Sequence, residues 1–252
     1  MKISLVTVAY NSEATIADTL ASIDEQSHAD KEHVIVDGAS SDRTLQIVAA
    51  YRRPWRRVFS ERDAGIYDAM NKGIRLASGD VVGFLNSDDF YASPDVLQRV
   101  AEAFTDPAIE IVYGNLCYVA KDDVRRITRY WQSAPFHPGL FVRGWAPPHP
   151  TFFARRSLFS RFGGFDLAFP VAADMELMAR FLEVHRVRSR HLPTVLVHMR
   201  SGGASGQGPM AVLSQNREIW RALKKNGLRA GLLRLALAKV VAKGRQLIAR
   251  PS

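Results

Sequence analysis

Asp88 and Asp89 stand side by side where the apolar run Val81-Val82-Gly83-Phe84-Leu85 ends in Asn86-Ser87. Adjacent carboxylates repel unless a cation neutralises them, and a hard divalent ion takes carboxylate oxygen while keeping positions open for phosphate. Magnesium or manganese is the fitting metal. A helix cap is the competing account, since Ser93-Pro94-Asp95 opens a helix just beyond and Asp commonly caps. Asp37 also ends an apolar run, His33-Val34-Ile35-Val36, and could accept from the imide N–H of a uracil or from a ribose hydroxyl. Its neighbours Ser41 and Asp42 are explained by a turn and a helix cap.

Two further acidic stretches have a chemical and a structural reading each. Asp63-Ala64-Gly65-Ile66-Tyr67-Asp68-Ala69-Met70-Asn71-Lys72-Gly73 mixes acids, an amide and a lysine, yet Asp68 and Lys72 at i, i+4 on a helix also make an ordinary solvated ion pair. Asp174, in Ala173-Asp174-Met175-Glu176-Leu177, opens a helix whose apolar positions include Leu177, Met178 and Phe181. A carboxylate there is either a cap or a base placed by the helix.

The elements that must position these groups alternate. Ile3 to Ala9 reads as a strand, followed by a helix with Ile16, Leu20 and Ile23 on one face. The run ending at Asp37 precedes a helix with Leu45, Ile47, Val48 and Tyr51, and a helix from Ile66 to Leu76 precedes the run ending at the Asp pair. Strands that end in polar residues before helices indicate an α/β, doubly wound, mostly parallel sheet, whose ligands collect beyond the strand C-termini. Further strands are expected at Ile109 to Asn115, Arg126 to Trp131 and Thr151 to Ala154, and helices at Arg155 to Phe162 and Asp174 to Val184. Prolines 135, 138, 147, 148 and 150 mark a long irregular connection, and Ser201 to Pro209 reads as a flexible loop.

Composition bounds the setting. The 252 residues, 47% hydrophobic and 23% charged, suit one α/β domain with a full core. The lone Cys117 excludes an internal disulfide and a cysteine metal cluster, so a reducing compartment is expected. The N-terminus meets Asn11 and Glu13 too soon for a signal peptide, which points to the cytoplasm. Between Arg217 and Ser252 ten basic residues face one acid, Glu218, so this stretch carries the whole formal net charge of +9 and the body is neutral. Leu233, Leu237, Val240, Val241, Leu247 and Ile248 fall on one helical face, with Arg234, Lys239, Lys243, Arg245 and Arg250 opposite. Two readings stand: an amphipathic helix, residues 228–252, lying on anionic lipid at the inner face of the plasma membrane, or a helix packed on the body with its basic face solvated. Nucleic acid is not an expected partner, because no aromatic residues interleave the basic ones.

Val6-Thr7-Val8-Ala9-Tyr10-Asn11, Asp37-Gly38-Ala39-Ser40-Ser41-Asp42 and Asn86-Ser87-Asp88-Asp89, in that order, resemble family 2 glycosyltransferases of the GT-A fold. The segment Gly65 to Ile74 is closest to a subgroup of bacterial polysaccharide assembly, of the colanic acid type. The resemblance covers about residues 1 to 210, and the expected division is a GT-A domain over residues 1–216 with a basic amphipathic helical extension over 217–252. It implies an inverting, metal-dependent, hexosyltransferase-type enzyme taking a nucleotide diphosphate sugar, UDP-linked by expectation, to a glycan or lipid-linked acceptor. Thr7, Ala9, Tyr10 and Asp37 then belong to the donor nucleotide site, Asp88 to the ribose, and Asp89, with Asp88, to a Mn2+ or Mg2+ ion. Asn86 replaces the first Asp of the family's DxD motif and Met70 an Arg found in many members. Gly163-Gly164-Phe165-Asp166 upstream of Asp174 matches the family's approach to its catalytic base. His149, in His149-Pro150-Thr151-Phe152, and Gly202 and Gly203 resemble acceptor-side and closing-loop segments. Two other readings are a sugar nucleotidyltransferase, which wants a Gly-rich phosphate loop where Tyr10-Asn11-Ser12 stands, and a catalytically inactive nucleotide-sugar-binding protein.

Overall fold

The computed structural model describes residues 1–202 and 209–248. Its first half holds strands β1 (Ile3–Ala9), β2 (Lys31–Asp37), β3 (Arg56–Ser60) and β4 (Val81–Phe84), with helices α1 (Ile16–Asp24), α2 (Thr44–Ala50) and α3 (Ile66–Leu76) between them. All four strands run parallel in the order β3-β2-β1-β4. Period-two alternation feeds both faces: Val6 and Val8 join the core beneath α3, whereas Ile3 and Leu5 join the opposite core. Gly73 lets α3 lie on β1, because a Cβ there would sit 2.2 Å from Val6 Cγ1.

The second half adds β5 (Phe90–Tyr91), α4 (Val96–Ala103), β6 (Ile111–Val119), β7 (Ile127–Trp131), β8 (Phe153–Arg155), α5 (Arg156–Phe162), α6 (Ala173–Ala179) with a π-turn after it (Arg180–Val184), β9 (Ser189–Arg200), α7 (Pro209–Lys225) and α8 (Leu232–Ile248). β8 pairs antiparallel with β4 and β6, and β9 runs parallel to β6, giving one continuous mixed sheet. β9 carries Pro193, and the ladder absorbs it with a register shift, stepping from Tyr113 opposite His191 to Asn115 opposite Val195.

Residue 216 lies within α7, and Ile219, Ala222 and Leu223 of that helix share a core with Val6, Met70, Phe84 and Met178. α8 packs through Leu235, which is 1% exposed, and Ala238, whose Cβ lies 2.9 Å from where a Cβ of Gly144 would be. Leu237 and Val241, 67% and 54% exposed, point the other way. The packed face of the helix is therefore not the one the apolar periodicity selects, and three of the predicted apolar positions, Leu237, Val241 and Leu247, are exposed. Arg250 lies outside the described residues. Among the described residues no helix is long and apolar enough to cross a membrane.

Candidate active site

β1 stands between β2 and β4, with Ala9 opposite Asp37 and Val6 opposite Phe84, so the turns after β2 and β4 flank its C-terminal end. The loop after β1 ties them together. Asn11 Oδ1 accepts from Ser41 N–H at 2.9 Å, and the hydroxyls of Ser12 and Ser87 lie 2.8 Å apart. Thr15 donates to the Ser87 carbonyl at 2.9 Å and Thr19 to the Asp89 carbonyl at 2.7 Å, so α1 fixes the Asp-pair turn by its hydroxyls.

The Asp37 carboxylate is fully buried and accepts from Ser40 N–H at 3.0 Å, the Ser40 hydroxyl at 2.5 Å and the Ser60 hydroxyl at 2.6 Å. It organises its turn from within. The surface of that turn belongs to Tyr10, 66% exposed, and to Asp63: a Cβ on Gly38 would lie 2.7 Å from Asp63 Oδ2 and 3.3 Å from Tyr10 Cδ2. Thr7 is not at this edge. Arg56 Nε donates to His33 Nδ1 at 3.0 Å, which leaves the His33 Nε2 proton for the buried Thr7 hydroxyl at 2.9 Å. The Ala9 carbonyl accepts from Gly38 N–H at 2.8 Å and so holds the two turns in register.

Asp88 and Asp89 lead into β5, and α4 begins later with Asp95 at its N-cap, so neither member of the pair caps a helix. Asp88 is half-buried and Asp89 fully buried. Asp89 Oδ1 accepts from the Arg200 N–H at 3.3 Å, while Arg200 Nη1 donates to the Asp88 carbonyl at 2.8 Å and the guanidinium pairs with Asp18. Burial, and then repulsion from Asp88, push the Asp89 carboxyl well above its ordinary value; burial raises Asp88 as well. Asn86 Oδ1 is buried with no hydrogen-bond partner. Two carboxylates and an orphaned amide oxygen are a hard-oxygen donor set that fits a divalent cation. Among the described residues no group of three His, Cys, Asp or Glu could hold a metal alone, so such a cation would share its coordination with a ligand's oxygens.

Asp174 sits in the first turn of α6. Its Oδ1 accepts from the Tyr67 hydroxyl at 3.2 Å and from Met175 N–H at 2.7 Å. Glu218 of α7 holds the backbone that leads into α6: its Oε1 accepts from Val171 N–H at 2.6 Å and from the N-cap Ala172 N–H at 2.8 Å. A chain of rings joins this turn to the end of β4: Tyr67 stacks on Phe165 at 5.3 Å, Phe165 meets Phe84 edge-on at 5.2 Å, and His149 stacks on Phe84 at 5.4 Å. His149 is 8% exposed with Nε2 unpartnered; burial lowers its pKa while the Asp174 charge opposes that. Burial raises the Tyr118 phenol; the Arg129 charge lowers it, and the Asp89 and Asp174 charges add to the rise, so this hydroxyl on β6 lies within electrostatic reach of both carboxylates.

Gly163-Gly164-Phe165 owes its pattern to α3. Asn71 donates to the Phe165 carbonyl at 2.9 Å and accepts from its N–H at 2.8 Å, and a Cβ on Gly164 would lie 2.3 Å from Asn71 Oδ1. Asp68 accepts from Ala64 N–H at 3.0 Å, and Lys72 pairs with Glu61 at 2.8 Å and with Asp68 at 3.6 Å, so the charges in this stretch are structural. Gly202 has φ +100 just after Ser201, which bonds Thr128 at 3.1 Å; Gly203 lies outside the described residues. Asp63, Tyr67, Tyr118, Arg200 and Glu218 were given no role by sequence reasoning. Only the position of Tyr67 and Asp63 in the acid-rich stretch signalled them.

Known proteins place this arrangement. The model of glycosyl transferase family 2 matches residues 4–163, and the chain belongs to that family. An uncharacterised glycosyltransferase of Mycobacterium tuberculosis is 34% identical over 183 residues, covering 71% of this chain and 68% of its own. A Mycobacterium bovis protein named as a PGL/p-HBAD biosynthesis glycosyltransferase is 33% identical over 208 residues, 79% of this chain and 77% of its own. Among solved structures, Staphylococcus aureus TarS 1-349 in complex with UDP superposes with a TM-score of 0.68 at 21% identity, over 96% of this chain and 70% of TarS 1-349. The mannosyltransferase PcManGT of Pyrobaculum calidifontis, in complex with GDP-Man and Mn2+, gives 0.66 at 19% identity over 95% and 69%. These two share the GT-A fold with it.

Proposed function

We propose that this glycosyltransferase moves a sugar from a nucleotide diphosphate donor, a UDP-sugar first, to a glycan or lipid-linked acceptor, inverting the anomeric carbon. The observation that carries the reading is the Asp88-Asp89 pair, its second member buried, with the unpartnered Asn86 amide oxygen at the C-terminal end of β4. Tyr10 and the Asp37 turn receive the base, Asp88 the ribose, and Asp89, Asp88 and the Asn86 amide oxygen hold a Mn2+ or Mg2+ ion. Such a cation, when bound, supplies Lewis-acid neutralisation of the diphosphate. Asp174 takes the proton of the acceptor hydroxyl as that oxygen bonds to the anomeric carbon and the carbon–phosphate oxygen bond breaks on the other face. His149, buried beside Asp174 with an unpartnered Nε2, orients the acceptor. Gly202 stands on the closing-loop side of the site. Neighbours with UDP, UDP-GlcNAc and GDP-Man bound support a sugar nucleotide as donor.

The donor test is a panel of sugar nucleotides in a thermal-shift assay with and without Mn2+. One or two members are expected to raise the Tm only when the metal is present, because a ligand stabilises the state that binds it. A panel with no metal-dependent shift would sink the reading.

We also propose that α8 rests on anionic lipid at the inner membrane surface by its outward face, where Leu237 and Val241 are exposed in a stretch carrying the chain's net positive charge. The protein is expected to sediment with vesicles containing phosphatidylglycerol and stay in solution with phosphatidylcholine alone. Replacing Leu237 and Val241 together by Glu should release it. Equal sedimentation of wild type and double variant would refute this role.

A further inference from the structure

The turn that carries Asp174 is gripped from two sides. From α3, the Tyr67 hydroxyl shares its single proton between the Val171 carbonyl at 3.1 Å and Asp174 Oδ1 at 3.2 Å. From α7, Glu218 accepts the N–H groups of Val171 and Ala172. Tyr67 is itself held, since its ring stacks on Phe165 and Asn71, one turn further along α3, bonds both backbone groups of Phe165. Burial first, and the neighbouring Asp174 charge second, raise the phenol far above its ordinary value, so it stays protonated and donates.

The consequence is an asymmetry between the two oxygens of one carboxylate. Asp174 Oδ1 accepts two hydrogen bonds, from Tyr67 and from Met175 N–H. Asp174 Oδ2 accepts none among the described residues and is not one of the fully buried, unpartnered atoms, and the residue is half-buried, so this oxygen is the one left for a ligand. A carboxylate held at one oxygen by two donors cannot rotate freely, and its other oxygen points along a fixed direction.

We propose that Tyr67 is a positioning residue for the base, fixing Asp174 Oδ1 so that Oδ2 receives the acceptor's proton, and that Glu218 completes the grip by setting the backbone of the same turn. This rests on the reading of Asp174 as general base. It also makes catalysis depend on α7, a helix outside residues 4–163 matched by the family model.

The test compares full-length Tyr67→Phe, Glu218→Ala and Asp174→Asn with wild type, on the donor chosen by thermal shift. Tyr67→Phe keeps the ring stack and removes only the donor. Its kcat is expected to fall about tenfold with donor KM unchanged, the loss of one hydrogen bond to a charged group. Glu218→Ala should lower kcat with donor KM likewise unchanged, because it acts on the backbone of the same turn. A Tyr67→Phe enzyme with wild-type kcat, or one whose loss lies in donor KM, beside an inactive Asp174→Asn, would overturn the proposal and leave the base standing. An active Asp174→Asn would overturn both. Circular dichroism melting confirms that each variant is compared as folded protein.

Discussion

Asp174→Asn is expected to bind donor as wild type does and to transfer almost no sugar. The substitution is close to isosteric, and the structure says why the fold should accept it. Both hydrogen bonds to the side chain, from Tyr67 and Met175 N–H, arrive at Oδ1, and an amide carbonyl oriented there accepts both. The NH2 group then takes the place of Oδ2, the open position. The backbone leading into α6 stays held by Glu218. What is lost is the ability to take a proton, and general-base catalysis typically contributes about 10²–10⁴ in rate. The measurement pairs calorimetric donor affinity with kcat. Unchanged affinity with kcat down by about that factor is the expected result, and near-normal kcat would remove Asp174 from the chemistry.

How much of this was legible beforehand depended on the range of the interaction. Three of the four parallel strands of the first half, β1, β2 and β4, announce themselves by an apolar run leading to Asp or Asn, because burial on both faces and a polar turn at the ligand edge are local demands of the fold. The strands β3 and β9 gave no such signal. β3 is Arg56-Arg57-Val58-Phe59-Ser60, an edge strand whose Arg56 is drawn inward by His33 and Asp24 across the sheet, and β9 contains Pro193. At the site, the acids were visible as types and spacings, but their division of labour was not. Asp37 reads as a ligand-facing carboxylate until Ser40 and Ser60 are seen to enclose it. Asp174 reads equally as a cap or a base, and it does accept a first-turn N–H, that of Met175, while Glu218, forty-odd residues later, holds the backbone just ahead of the helix. Thr7 looked like part of a nucleotide motif because its partner, His33, is on another strand. The tail shows the same limit: helical periodicity set the apolar stripe, yet contact with Gly144 selected Leu235 as the packing residue.

The second large effect is expected at Asp89. Burial and the Asp88 charge hold its carboxyl far above the ordinary range, so the folded protein binds that proton more tightly than the unfolded chain does. The sign of the linkage follows: the stability this provides is present below the unfolded pKa, about 3.9, and is lost as pH rises through the folded value. At neutral pH the paired carboxylates therefore destabilise the ligand-free fold, as a site kept for a cation would. Asp89→Asn should raise the Tm of the ligand-free protein, with the advantage shrinking as the pH is lowered. Asp89→Ala should lose the rise in Tm that Mn2+ and a nucleoside diphosphate give the wild type together. Transfer by Asp89→Ala should fall by about 10²–10⁴, since leaving-group neutralisation supplies several kcal/mol and each 1.36 kcal/mol is tenfold. The Arg200 N–H and the Asn86 amide lose their acceptor in that variant, which is why the Asn form is the cleaner stability probe. Full retention of the metal-dependent shift in Asp89→Ala would mean that the pair does not hold the cation. The carboxylate repulsion would then be offset by Arg200, whose guanidinium already grips the Asp88 carbonyl.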